Sequence, residues 1–280
     1  MPRKEPSFFV PELWPPGWAR YEHGIDDYLA YFDAATPDQL IGEATTSYLW
    51  SHQAAARIAQ AQPDARIIAI LREPASFLRS LHLQFVRSNV ETESDLRAAL
   101  ALDRERAEGR RLPPNSTRPQ ALVYSDHVRY VEQLRRYESA FGRERMLILI
   151  YEDFRADNAW AVREVLRFLQ VADDAVPTQP IEANRATGVR SPRLHDLVRS
   201  VYLGRSRATK PLKEAIKAVT PRSARHRAVA VANRMQRSAP PPVDRSLTRE
   251  LRRRFKPEVE SISEYLGRDL VSFWGYDGVE

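Results

Sequence analysis

Apolar positions along the chain follow two patterns, and their alternation predicts a layered α/β protein. The run Arg66-Ile67-Ile68-Ala69-Ile70-Leu71 is continuous, which is how a strand buried on both faces of a parallel sheet reads. Met146-Leu147-Ile148-Leu149-Ile150-Tyr151 reads the same way, and Leu40-Ile41-Gly42-Glu43 is a shorter version ending in a carboxylate. Between these runs the apolar residues recur at helical spacing. Leu49, Ala54, Ile58 and Ala61 predict a helix over 47–62, and Val131, Leu134 and Tyr137 predict one over 127–141. Further helices are predicted over 25–32, 76–86, 94–108, 159–169 and 246–266, the last with Leu251, Phe255, Val259, Ile262 and Leu266 on one stripe. In a parallel sheet between helical layers, ligands collect beyond the carboxyl ends of the strands. Glu43, Arg72 and Glu152-Asp153 stand at those ends.

Breakers organise the rest. Pro11, Pro15 and Pro16 forbid a long helix in the aromatic first forty residues, which read as a packed loop region. Residues 113–116 read as a polar turn. From 199 to 244, basic patches alternate with Gly204, Pro211 and Pro221 and end in Ala239-Pro240-Pro241-Pro242. That stretch reads either as a surface-docking segment or as a plain basic linker. A length of 280 residues suits one hydrophobic core, so a single domain over 1–280 is expected.

Composition narrows the chemistry. With 43% apolar and 29% charged residues the chain is not generally disordered. Zero cysteines exclude disulfides, iron–sulfur clusters, cysteine nucleophiles and thiolate zinc sites. No window approaches the roughly 18 apolar residues of a membrane span. The opening Met-Pro-Arg-Lys-Glu-Pro has no apolar core of a secretory signal behind it, so a cytoplasmic location is expected. The six histidines show no metal-ligand spacing, so no metal is expected. The net charge of +6 is unevenly spread: between Arg185 and Lys256 stand 20 Lys or Arg against four acids, a local +16, and the remainder is −10. That asymmetry points to an anionic partner, a nucleotide, a sulfated or phosphorylated compound or a membrane surface touched through 199–244, or else to a solvated basic face. Nucleic acid is not expected, because no nucleic-acid module is visible.

The most informative stretch is Arg72-Glu73-Pro74-Ala75-Ser76-Phe77-Leu78-Arg79-Ser80. A buried strand delivers an arginine, and a proline then opens a helix with Ser80 in its early turns. Helix N-termini favour anions and a guanidinium forks onto phosphate oxygens, so an anion site is one reading. An arginine lying beside a well-capped helix is the other. Glu43 reads either as a general base or as the cap of a helix starting near Ser47, and Glu152-Asp153 as a helix cap. His52 and His82 are reserve proton acceptors or plain polar contacts. Trp14, Trp18 and Tyr21 either line a cleft or pack over the sheet.

Arg-x-Pro-x-x-x-x-x-Ser after an apolar strand resembles the 3′-phosphate-binding element of sulfotransferases that use 3′-phosphoadenosine 5′-phosphosulfate (PAPS). Other segments agree in order. Lys4-Glu5-Pro6-x-Phe8-Phe9 resembles the stretch after the first helix of bacterial and Golgi-type members. Gly42-Glu43-Ala44-Thr45-Thr46-Ser47-Tyr48-Leu49 resembles their Glu-Lys-Thr-Pro-x-Tyr-Phe segment, whose glutamate is the proposed base. Leu147 to Phe154 with Phe168-Leu169, and Leu266-Gly267-Arg268-Asp269-Leu270 with Trp274, resemble the later strand, helix and closing segment.

The resemblance, heparan-sulfotransferase-like in character, implies a P-loop-NTPase-like three-layer fold with a central parallel sheet flanked by helices. It implies sulfuryl transfer to a hydroxyl of a carbohydrate, glycolipid or small metabolite. Glu43 would be the catalytic base, Arg72 and Ser80 would hold the cofactor, and Arg185 and Arg190 would stand in the place of a late phosphate-binding loop. The chain departs from the pattern in two ways. The family opens with a strand and a Gly-x-x-Lys-x-Gly-Thr-like phosphate loop, and neither is seen here, so Met1 reads as an internal methionine and little activity is expected of these residues alone. Ala44 stands where many heparan-type relatives carry lysine. A non-catalytic nucleotide-binding or scaffolding protein of the same fold, and a basic surface-binding protein acting through 199–244, are the alternatives.

Overall fold

The two long apolar runs pair with each other. In this computed structural model, β1 (Ile67–Leu71) and β2 (Met146–Ile150) lie side by side in parallel, from Ile67 against Met146 to Leu71 against Ile150. The structure describes residues 5–14, 24–88, 90–113, 116, 118–172, 188–189, 237–238 and 241–279. The helices are α1 (Ile25–Leu29), α2 (Ala54–Ala61), α3 (Pro74–Ser88), α4 (Leu96–Ala101), α5 (Asp103–Ala107), α6 (Tyr130–Phe141), α7 (Tyr151–Ala156), α8 (Asn158–Leu169), α9 (Arg245–Leu266) and α10 (Leu270–Phe273). A short antiparallel pair joins β3 (Gly188–Val189) to β4 (Arg237–Ser238). Among the described residues, no helix is long and apolar enough to cross a membrane.

The chain divides into two compact units. The first comprises Met1–Pro74, Tyr124–Ile181 and Arg252–Glu280. Helices α6, α7 and α8 pack against β2 there. On α6 the buried residues Tyr130, Leu134, Tyr137 and Phe141 form one stripe; it includes Leu134 and Tyr137, as the spacing predicts, whereas Val131 is only partly buried. Gly142, at φ 81°, ends that helix and turns the chain into β2. Phe255, Val259 and Ile262 of α9 are buried. The N-terminal segment is an aromatic core in which Phe9, Val10, Leu13 and Tyr28 gather Phe8, Trp14, Phe32, Tyr48 and Trp50.

The second unit comprises Ala75–Val123 and Glu182–Leu251. It contains an ion pair removed from water: Arg106 Nη1 and Nη2 lie 2.7 and 2.9 Å from the two carboxylate oxygens of Glu91, and their side chains are 2% and 0% exposed. Glu91 Oε1 also accepts the amides of Thr92 and Glu93, so the pair fixes the connection leaving α3 onto α5. Asp95 caps α4 by accepting the amide of Ala98 at 2.8 Å.

Several expectations are corrected. Residues 40–43 form no strand, and Leu40 and Ile41 are 62% and 57% exposed. A strand needs a neighbour for its amides and carbonyls, and no described strand lies beside this segment. The run Ile67–Leu71 is buried on one face only: Ala69 and Leu71 are covered, whereas Ile68 and Ile70 are 38% and 49% exposed. The helix read over 47–62 begins at Ala54, after a turn in which the Ser51 hydroxyl accepts the amides of Gln53 and Ala54. The helix read over 94–108 is two, α4 and α5. Tyr151 opens α7 instead of ending a strand, and Glu152-Asp153 sit in its first turn instead of capping it.

Candidate active site

Glu43 lies in a pocket of hydroxyl groups. Its Oε1 accepts Tyr48 at 2.5 Å and Tyr28 at 3.4 Å, and its Oε2 accepts Thr45 Oγ1 at 3.0 Å. The pocket is rigid because its donors are packed: Tyr28 stacks on Phe8 and meets Phe9 edge-on, and Phe9 also meets Tyr48. Thr45 is further tied by accepting the amide of Ser7. Burial pushes the Glu43 carboxyl above the usual carboxylate range, against the downward pull of the Tyr48, Thr45 and Tyr28 bonds. Burial and the Glu43 charge push the Tyr28 and Tyr48 hydroxyls up, so both stay protonated donors at neutral pH. Oε2, with a single donor, keeps the more open lone pair. The cap reading of Glu43 is therefore corrected: its carboxylate serves hydroxyls, and the next helix begins at Ala54.

The second group of residues follows from strand register. Leu71 pairs with Ile150, so Arg72 and Tyr151 leave the two strands side by side. The Arg72 guanidinium carbon lies 4.8 Å from the Tyr151 ring centroid. Arg72 has no ion-pair partner among the described residues, and its Nε is buried without a hydrogen bond. The next pair out is Glu73 and Glu152, joined by the Glu73 amide to Glu152 Oε1 at 3.4 Å. Both carboxylates are held from the C-terminal segment. Glu73 Oε1 accepts the Tyr276 hydroxyl at 2.8 Å and Arg252 Nε at 3.4 Å, and Glu152 Oε2 accepts Trp274 Nε1 at 3.0 Å. Asp153 takes both terminal nitrogens of Arg268.

Helix α6 links the two groups. Its first residue, Tyr130, donates to the Arg72 carbonyl at 2.8 Å, and Tyr137 donates to the Tyr48 carbonyl at 2.8 Å. Seven residues apart, they share one face and are offset by about 10 Å along the axis. The backbones that carry Arg72 and Tyr48, and through Tyr48 the carboxylate of Glu43, are thus anchored to one rigid rod.

The remaining predicted residues fall elsewhere. Ser80 lies on α3 in the second unit, half-buried. Arg185 and Arg190 lie outside the described residues, as do Trp18 and Tyr21 and nearly all of 199–244. His52 is exposed and lines a groove between α2 and α6 with Ala55, Ala59, Arg135 and Ser139. His82 is buried in the second unit with Nε2 2.9 Å from the Glu93 carbonyl, and burial pushes its pKa down. It is a structural contact. Thr45 is committed to Ser7 and Glu43, and Trp14 packs in the aromatic core. Sequence reasoning missed Tyr28, Tyr130, Tyr151, Arg252 and Tyr276. Only register and tertiary contact bring them to the site.

Comparison with known proteins bears on the fold. No protein-family profile matches the chain, and no curated protein does. Among solved structures, a sulfotransferase from Alicyclobacillus acidocaldarius is similar to it, with a TM-score of 0.66 and 24% sequence identity. The alignment covers 98% of this chain and 86% of that one. The two chains share a fold. The parallel pair flanked by helices agrees with the expected α/β class. Of the three strands read from the sequence, β1 and β2 are the two that form.

Proposed function

We propose that this protein transfers a sulfuryl group from PAPS to a hydroxyl of a carbohydrate, glycolipid or small metabolite. The observation that carries the reading is Arg72: a guanidinium stacked on Tyr151 at the end of a parallel strand, with no carboxylate paired to it among the described residues. Leaving a half-buried charge without a partner is costly, and an anionic ligand supplies one. The shared sulfotransferase fold and the hydroxyl-lined Glu43 agree with that ligand being the donor's 3′-phosphate.

In this mechanism Arg72 holds the part of the donor that does not react. Remote binding of that kind orients the sulfuryl group for in-line attack. The acceptor oxygen forms a bond to sulfur while the bond from sulfur to the 5′-phosphate oxygen breaks, and that oxygen keeps the electron pair. The acceptor proton goes to Glu43 Oε2. A carboxyl held above its usual range is a better match to a proton exchanged near neutral pH. Tyr48, Tyr28 and Thr45 keep the carboxylate aimed.

Two measurements follow. By calorimetry, Arg72→Ala should bind 3′-phosphoadenosine 5′-phosphate (PAP) about ten- to a hundredfold more weakly, the effect of losing about 1.5–3 kcal/mol of charge-assisted contact. Unchanged affinity would remove Arg72 from the donor site. The second is a pH profile. The base must be ionised, so kcat/KM should fall as pH drops through the Glu43 pKa. The Tyr48 bond lowers that pKa, so Tyr48→Phe should move the acid limb to higher pH. A limb that stays put or moves to lower pH would mean that Glu43 is not the titrating base.

A further inference from the structure

Arg72 stands beside carboxylates that do not neutralise it. Glu73 is its chain neighbour, and Glu152 follows Tyr151, on whose ring Arg72 lies. The Glu73 amide lies 3.4 Å from Glu152 Oε1, so both acids share the strand end that carries Arg72. Two acids and one arginine at a strand end would ordinarily pair, and a paired Arg72 would be poorly placed to take a ligand. Here both acids are engaged from the other side. Glu73, 3% exposed, is held by Tyr276 and Arg252, and Glu152 by Trp274. The donors are themselves fixed: Tyr276 and Trp274 are 0% and 4% exposed, and Arg252 also donates to the Gly275 carbonyl and lies over the Tyr276 ring. Arg268, paired with Asp153, ties down the turn before α10.

We propose that residues 252–276 form a clasp whose task is to hold Glu73 and Glu152 off Arg72, so that the guanidinium stays open to an anion. The clasp supplies one cation, Arg252, and two neutral donors, the Tyr276 hydroxyl and the Trp274 indole. Neutral donors satisfy a carboxylate without adding charge that would compete with Arg72 for the anion. The proposal rests on reading Arg72 as the donor site, and its test separates the two.

The test compares the parent, the pair Tyr276→Phe with Arg252→Met, and that pair with Glu73→Gln added, each checked for folding by circular dichroism. Arginine labelling by phenylglyoxal, mapped by mass spectrometry to the Arg72 peptide, reports guanidinium availability without any nucleotide. PAP titration reports ligand binding. In the pair, Glu73 is released towards Arg72, so labelling of Arg72 should slow and PAP affinity should fall, each by about three- to tenfold. Glu73→Gln removes the competing charge, so both should return towards the parent. A general packing defect would not be rescued in this way. If the pair does not fold, Tyr276→Phe alone makes the same test through the loss of one hydroxyl. Labelling of Arg72 that is unchanged in the variant, or that stays slow after Glu73→Gln, would overturn the clasp whatever PAP does. If labelling responds as described but the parent binds no PAP, the clasp stands and the donor reading fails.

Discussion

Glu43→Gln should lower sulfate transfer by about 10²–10⁴, the usual contribution of a positioned general base, while leaving PAP affinity nearly intact. Glutamine keeps the size of the side chain and one accepting oxygen, so the Tyr48 and Tyr28 hydroxyls retain a partner and the aromatic pocket keeps its shape. It does not keep the oxygen that takes the proton. The separation of effects is the point: a merely structural Glu43 would show a small change in melting and none in transfer. The comparison is made in whichever form of the protein transfers sulfate. If the glutamine variant turns over at the parent rate, the base lies elsewhere. His82 is an unsuitable substitute, being buried and bonded to the Glu93 carbonyl, which leaves His52 as the next candidate.

The second large effect concerns stability. Glu91→Ala should destabilise the second unit by about 3–5 kcal/mol, because it strands the Arg106 guanidinium out of water. The side chains are 2% and 0% exposed, so solvent cannot replace the lost partner. Two backbone amides, those of Thr92 and Glu93, lose their acceptor as well. The melting transition should fall by on the order of 10 °C. Replacing both charges, as Glu91→Leu with Arg106→Met, should recover much of the loss, since an apolar pair leaves no charge stranded. A melting point for Glu91→Ala within about a degree of the parent would show that the pair is solvated.

Much of the fold could be read from the chain because some signals are local. Ile67–Leu71 and Met146–Ile150 are continuous apolar runs, and Leu134 and Tyr137 of the stripe read from the spacing are buried, while Val131 is only partly so. Other features depend on a partner. Leu40–Glu43 has the composition of a strand, but composition does not supply the neighbouring backbone that makes one. The turn before α2, where a serine hydroxyl takes two amides, is likewise something apolar periodicity does not register.

The site divides in the same way. Glu43 and Arg72 were legible as polar residues ending apolar runs, reinforced by the family resemblance. What surrounds each of them was not legible. Glu43 owes its environment to Tyr28, fifteen residues before it, and to Tyr48 in a turn of no regular period. Glu73, the chain neighbour of Arg72, is held by Tyr276 and Arg252 from 203 and 179 residues away. Contacts at that separation leave no trace in spacing.

The central claim is that Arg72 reads the 3′-phosphate of the donor. Titrating PAP and adenosine 5′-phosphate, which lacks that phosphate, into the parent and into Arg72→Ala tests it most directly. The parent should prefer PAP by about ten- to a hundredfold, and the variant should bind the two nucleotides alike. A parent without that preference, or a variant that keeps it, would contradict the account.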